Sequence, residues 1–222
     1  MNYKDYEKFM VSNGVSSNKL DSYHKFTNNI IEPYILEERT LNVAPMSVFS
    51  RLLYDGIIFL GGPINDDVAN IINSQLMYLN SVDDGRDVKL FINSPGGQVS
   101  SGLAIYDVMN WITPDVATYC MGTCASMGAV LLSSGAQGKR FSLPHSEIMI
   151  HQPSGGTGVV KSDDMEIAWQ QMSKCKNTLN SILAANTGKT VEEIEEACKL
   201  DKWFTANEAM DYGLIDNIIN KR

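Results

Sequence analysis

From Gly56 onward, short apolar runs alternate with stretches of helical spacing, and glycine or proline marks most of the changes. Gly56 to Leu60 is apolar and ends in Gly61-Gly62, which predicts a buried strand. Asp66 to Leu79 then places Val68, Ile71, Ile72, Leu76 and Leu79 at helical spacing. Val88 to Asn93 predicts a second strand, closed by Ser94-Pro95-Gly96-Gly97, and Val99, Leu103, Tyr106 and Met109 follow on one helical face. Val116 to Met121 reads as a third strand, and Ser126 to Ser133 as a short buried helix stopped by Gly135. Parallel strands need a crossover connection, usually a helix, so this rhythm predicts βαβ units and an α/β class with a parallel sheet.

The C-terminal third adds a short strand, Glu147 to His151, and a long helix from Ser162 to about Asn186, stopped by Gly188. Met165, Ala168, Met172, Cys175, Leu179 and Ile182 form a three-four stripe along that helix. About 25 residues span about 38 Å, whereas a domain of this length has a radius of gyration of about 17 Å. The helix is therefore expected to protrude and meet another subunit. Capping boxes at Thr190 with Glu193 and Thr205 with Glu208 open two further helices. Residues 1–33 are rich in Asn, Ser, Lys and Tyr without periodicity and read as an N-terminal extension, a candidate propeptide. Pro33 and Pro45 bracket a short irregular piece. The chain's 222 residues otherwise fit one domain, 34–222.

Composition excludes several functions. A net charge of −8 argues against nucleic acid and anionic lipid as partners, because phosphate contacts need clustered Lys and Arg. No apolar run approaches the roughly twenty residues of a membrane span, and Met1 to Met10 lacks a signal-peptide pattern. Cys120, Cys124, Cys175 and Cys198 form no C-x-x-C pair and are expected as reduced thiols in a cytoplasm. Three histidines, none at finger spacing from a cysteine pair, predict no metal site. Gly97 to Gly102 has the outline of a phosphate loop, but Leu103 stands where a Lys is needed, so no nucleotide cofactor is expected.

The chemistry centres on Ser126. It follows a strand, opens an apolar helix and has small neighbours, which suits an exposed nucleophile beside the free N–H groups of a helix start. An N-cap serine explains the same spacing. A nucleophile needs a base, and the candidates are His24, His145 and His151. His151 ends an apolar strand before Pro153-Ser154-Gly155-Gly156, where sheets place functional groups. Spacing alone selects no orienting carboxylate from the acids; Asp201 reads only as an acid at a helix end.

Several segments carry a resemblance. They are Ser50-Arg51-Leu52-Leu53, Ile92 to Gly97, Ile105-Tyr106-Asp107, Pro114-Asp115-Val116 and Met121-Gly122. Ala125-Ser126-Met127-Gly128-Ala129, Gly138-Lys139-Arg140-Phe141, Met149 to Pro153 and Tyr212 to Asp216 complete the series. In this order and spacing the chain resembles the proteolytic subunits of ATP-dependent Clp proteases, the ClpP family of serine peptidases, from Ser50 to Ile219. The resemblance implies a crotonase-like fold of βαβ units with a protruding handle helix, here 162–186, and an axial N-terminal region at 34–49. It implies Ser126 as nucleophile, His151 as general base and Asp201 as the acid that orients the histidine. The backbone N–H groups of Gly97 and Met127 would form the oxyanion hole, and the segment through Gly155 and Gly156 would pair with an extended substrate.

It further implies two stacked heptameric rings, unfolded protein substrates and an AAA+ ATPase unfoldase of the Clp family. That partner would dock at a pocket that includes Phe91 and Trp111, with Lys89 where an aromatic is frequent. Lys199-Leu200 replaces an acidic–basic pair of the family, and Cys124 replaces an alanine. Two alternatives stand beside this reading. One is an acyl-CoA hydratase or isomerase of the same fold, and the other is a silent ring subunit that only docks partners.

Overall fold

The computed structural model describes residues 34–39, 42–82, 85–156, 158 and 161–220. The chain divides into two compact units, Met1–Arg51 and Leu52–Arg222. Residues 1–33, with His24, lie outside the described residues.

In the first unit, β1 (Tyr34–Arg39) and β2 (Asn42–Ser47) pair antiparallel, with Leu36 opposite Pro45. The stretch expected to be irregular is thus a hairpin. Proline lacks a donor, but a two-stranded ribbon has two edges and tolerates it. Helix α1 (Val48–Tyr54) follows.

The second unit is the α/β body. Its sheet joins β3 (Ile57–Gly61), β4 (Val88–Ser94), β5 (Val116–Ala125), β6 (Arg140–Ser142) and β9 (Asn217–Ile218), all parallel. β7 (Glu147–Ile150) pairs parallel with the end of β5, and β8 (Lys202–Thr205) closes on β7 antiparallel. The crossovers are α2 (Asp66–Val82), α3 (Val99–Trp111) and α4 (Met127–Ser133), as the alternating periods predict. α5 (Ser162–Thr187), α6 (Val191–Ala197) and α7 (Ala206–Tyr212) complete the body, the last two opened by the expected capping boxes. Among the described residues, no helix is long and apolar enough to cross a membrane.

α3 turns a somewhat different face inward from the one its apolar spacing suggests, whereas α2 buries Ile72, Leu76 and Leu79 as expected and departs at Ile71. α3 buries Ser101, Gly102, Ile105 and Met109, while Val99, Leu103 and Tyr106 are only partly covered. Ser101 can be buried because its hydroxyl bonds Asp66 and Gln98. α2 buries Ala69, Ile72, Leu76 and Leu79 and leaves Ile71 exposed.

β5 is longer than expected, ten residues instead of ending at Met121. Ile92 faces Cys120, and Ser94 faces Cys124, so four residues of β5 span two of β4. The excess is absorbed at Gly122, whose φ of 86° is open to glycine, and Asn93 and Ser146 accept the N–H groups of Thr123 and Gly122. Below this bulge β5 pairs with β6; above it, with β7. The bulge therefore redirects the strand end that carries Ser126.

Arg140, 7% exposed, fastens the far side of the body. Its guanidinium donates to both carboxylate oxygens of Asp216 at 2.9 and 2.6 Å, and to the carbonyls of Ser133, Asn186 and Gly213. Arg140→Met leaves Asp216 and three carbonyls without this donor and is expected to cost about 3–5 kcal/mol, read from the urea midpoint. Burial pushes the Asp216 carboxyl up, but the Arg140 hydrogen bonds and charge outweigh it and hold it below the usual range. A lowered carboxylate stabilises the fold at pH above its unfolded value of about 4, and that stability is lost as pH falls through the lower folded value. Wild type should accordingly lose stability in that acid window more steeply than Arg140→Met.

Candidate active site

Ser126 sits between the end of β5 and the start of α4, and its backbone is pinned on both sides. Its N–H donates to the Met149 carbonyl, and its carbonyl accepts from Ala129 and Val130. These bonds hold φ at 55° and ψ at −122°, and no other non-glycine among the described residues has a positive φ. Such a conformation costs about 1–3 kcal/mol and persists only where surrounding structure imposes it. Ser126 occupies the N-cap position, but its hydroxyl makes no capping bond. Instead Oγ lies 2.9 Å from His151 Nε2. The strained turn aims the hydroxyl away from the helix it opens.

His151 and Asp201 meet one step beyond the β7–β8 ladder, whose last pair is Ile150 with Lys202. His151 Nδ1 lies 2.9 Å from Asp201 Oδ1. Beyond the pair, the Gln152 N–H donates to the Cys198 carbonyl at 2.8 Å, and the Gln152 side-chain amide donates to the Lys199 carbonyl at 3.2 Å. Hydrogen bonds thus bracket the pair on both sides, while Lys199 and Leu200 loop outward, Leu200 being 82% exposed. Lys199 pairs with Glu196 of its own chain. Burial pushes the Cys198 thiol up to about 11, so it is no nucleophile at neutral pH.

Of the two candidate histidines among the described residues, His151 is placed at Ser126 and His145 is exposed in a turn. The Asp201 carboxylate, which spacing could not single out, is brought to it by the ladder. Ser126, His151 and Asp201 can therefore pass a proton from hydroxyl to imidazole, with the carboxylate holding the Nδ1 proton.

The Ser94 hydroxyl donates to the Gly62 carbonyl and accepts the Gly96 N–H, which shapes the loop facing Ser126. Gly96 is the point of contact. A Cβ there would lie 2.6 Å from Ser126 Cβ and 2.7 Å from the Ala125 carbonyl oxygen, at a φ of +90°. Gly96→Ala is expected to destabilise by about 2–4 kcal/mol and to displace Ser126. The check is a urea titration alongside the rate of Ser126 modification by a fluorophosphonate. Gly97 is bridged to Ile64 through its neighbours: Ile64 N–H donates to the Gly96 carbonyl, and Gln98 N–H to Ile64. Met127 opens α4, where an N–H has no partner within the helix. Gly155 and Gly156 are exposed and outside the sheet.

Of the other sequence candidates, Lys89 and Phe91 lie on β4. Phe91 stacks between Phe59, centroids 5.4 Å apart, and Tyr119, 4.5 Å, and Tyr119 stacks on Phe141 at 4.9 Å. The four rings occupy aligned register positions on β3, β4, β5 and β6. Lys89 lies two residues from Phe91 on the same strand face, whereas Trp111, 68% exposed, stands at the end of α3 outside the ladder. Cys124 is buried with its thiol on the Ile92 carbonyl, and burial raises its pKa, so it packs against β4. Among the described residues no three His, Cys, Asp or Glu side chains cluster as metal ligands.

Sequence reasoning did not single out Gly96 or Gln152, nor the rings of Phe59 and Tyr119. The register that aligns the rings follows from strand pairing, which no local pattern encodes.

Comparison with known proteins gives one family. The model of the Clp protease family matches residues 42–222. An "ATP-dependent Clp protease proteolytic subunit" from Porphyromonas gingivalis is 50% identical over 208 residues, covering 94% of this chain and 93% of the relative. Proteins with the same description from Bacteroides fragilis and Bacteroides thetaiotaomicron are 47% and 46% identical over 219 residues, covering 98% of this chain and 99% of each relative.

Proposed function

Because this chain belongs to the Clp protease family, we propose that it is a serine endopeptidase, the proteolytic subunit of an ATP-dependent Clp protease. The observation that carries the proposal is the pair of 2.9 Å contacts linking Ser126, His151 and Asp201 around a hydroxyl freed from capping. Ser126 Oγ attacks the scissile carbonyl while His151 Nε2 takes its proton. His151 then returns that proton to the leaving amine, and water releases the acyl-enzyme by the reverse sequence. Asp201 keeps the other imidazole proton on Nδ1. The N–H groups of Gly97 and Met127 receive the oxyanion, and the contact of Gly96 with Ser126 keeps that loop close. The unpaired segment through Gly155 and Gly156 accepts an extended substrate by backbone pairing, which favours broad specificity.

The fold is read as crotonase-like, with α5 as the handle. Its N-terminal half leaves Met165, Ile167, Trp169 and Met172 exposed, as a helix does when a second ring covers it. Subunits assemble as two stacked heptameric rings in the cytoplasm. An AAA+ unfoldase of the Clp family docks on the aromatic face at Phe91, with Lys89 and Trp111 at its margin, and delivers unfolded proteins. Residues 34–49 face the axial entrance, and 1–33 act as a propeptide.

The test is hydrolysis of fluorogenic peptides by the purified full chain, with the assembly sized by sedimentation. Peptide cleavage by a tetradecamer is expected. Assembly without cleavage of any peptide, even with the unfoldase present, would favour a silent ring subunit.

A further inference from the structure

β3 and β4 keep a parallel register as far as Gly61 opposite Asn93, yet the next pair is Ile64 opposite Gly97. The pairing advances three residues on the first side and four on the second, so it carries one extra residue. The Gly62 N–H donates to the Asn93 carbonyl, the Ile64 N–H to the Gly96 carbonyl and the Gln98 N–H to the Ile64 carbonyl. A parallel ladder continued from Asn93 would bring the N–H of residue 95 to the Gly62 carbonyl, but Pro95 has none. The Gly96 N–H is the surplus donor. Both stray groups end on one hydroxyl. Ser94 Oγ donates to the Gly62 carbonyl at 2.6 Å and accepts the Gly96 N–H at 3.1 Å. Ser94 is 1% exposed, so bulk water cannot stand in for that hydroxyl.

We propose that Ser94 is a positioning residue for the oxyanion hole: its hydroxyl fixes where the Gly97 N–H points as charge develops on the substrate carbonyl. This rests on the acyl transfer at Ser126, with Gly97 and Met127 as donors, proposed above. The pairing with Ile64 uses the neighbours Gly96 and Gln98, so the Gly97 N–H takes no part in it. That N–H is aimed only by what holds the loop. Gly96 packs against Ser126, where a Cβ would come within 2.6 Å of the Ser126 Cβ. Ser94 ties Gly96 back to Gly62 and so to the sheet. Without the hydroxyl, the Gly62 carbonyl and the Gly96 N–H lose their shared partner, and the loop turns at its glycines to recover bonds. A donor that has turned away still lets an extended peptide bind, but it no longer meets the oxyanion. The loss therefore falls on the transition state and not on substrate binding.

The experiment measures kcat and KM on a fluorogenic peptide, and Ki for a peptide boronate of the same sequence, with the full chain as wild type, Ser94→Ala and Ser94→Cys. On Ser126 the boronate becomes tetrahedral and places an oxygen where the oxyanion forms. A thiol keeps a donor and an acceptor but bonds more weakly than a hydroxyl, so the variants grade the interaction. Ser94→Ala is expected to lower kcat by about 10- to 100-fold with KM changed less than about threefold. Ki should rise by the factor by which kcat/KM falls, and Ser94→Cys should lie on the same line. A merely structural role would lower kcat through the active fraction and leave Ki where it was. Unchanged kcat in both variants, kcat falling with Ki unchanged, or Ki rising only as KM does overturns the assignment alone. Failure of both variants to fold also overturns it, because Ser94 would then hold the body together instead of aiming a donor. A wild type that binds no boronate and takes no fluorophosphonate overturns the reading of Ser126, and the assignment falls with it.

Discussion

Ser126→Ala is expected to lower peptide hydrolysis by about 10⁵-fold or more while leaving fold and assembly intact. The loss is large because no other group can take the nucleophile's place. Cys124 is buried against the Ile92 carbonyl and Cys198 is buried beyond the His151–Asp201 pair, so neither thiol reaches the substrate. Stability should not fall, since the Ser126 hydroxyl caps no helix and its one bond runs to His151. Removing it relieves none of the backbone strain, which the Met149 and Ala129 contacts impose. The measurement is kcat/KM on a fluorogenic peptide together with the urea midpoint. A hydratase or isomerase of the same fold would instead keep its activity after this substitution.

Asp201→Asn is the second large effect, a fall in kcat of about 10²–10³-fold with KM little changed. The amide offers an N–H toward His151 Nδ1, so the imidazole proton moves to Nε2, where it faces Ser126 and blocks proton transfer. The Asp201 side chain is 62% exposed, so water also competes for His151. This exposure places the expected loss below that of a fully buried orienting acid. The ladder pair Ile150–Lys202 and the Gln152–Cys198 bond keep the backbone in register, so the fold should hold. Single-turnover labelling of Ser126 should slow by the same factor as kcat, because both need the same proton transfer.

Much of the body was legible in sequence because its signals are local. The strand runs at β3 and β4, the capping boxes at Thr190 and Thr205, and the Gly188 stop of α5 each encode their own element. What was not legible depends on partners distant in sequence. The buried face of α3 is set by Ser101 finding Asp66, 35 residues away, and not by its apolar spacing. The length of β5 depends on the bulge opposite Ile92 and Ser94. At the site, the small residues around Ser126 marked a turn but could not separate nucleophile from N-cap, because that distinction lies in where the hydroxyl points. Asp201 was one acid among many until the antiparallel ladder set it opposite His151. The family resemblance supplied both roles, and the contacts at 2.9 Å supply a physical ground for them.

The most direct test of the central claim is intact-mass detection of fluorophosphonate labelling on wild type and on Ser126→Ala. The mechanism predicts one adduct per chain on wild type and none on the variant, since only a hydroxyl with a base in contact reacts at this rate. A folded, assembled wild type that takes no adduct, or a Ser126→Ala variant that takes one, would contradict it.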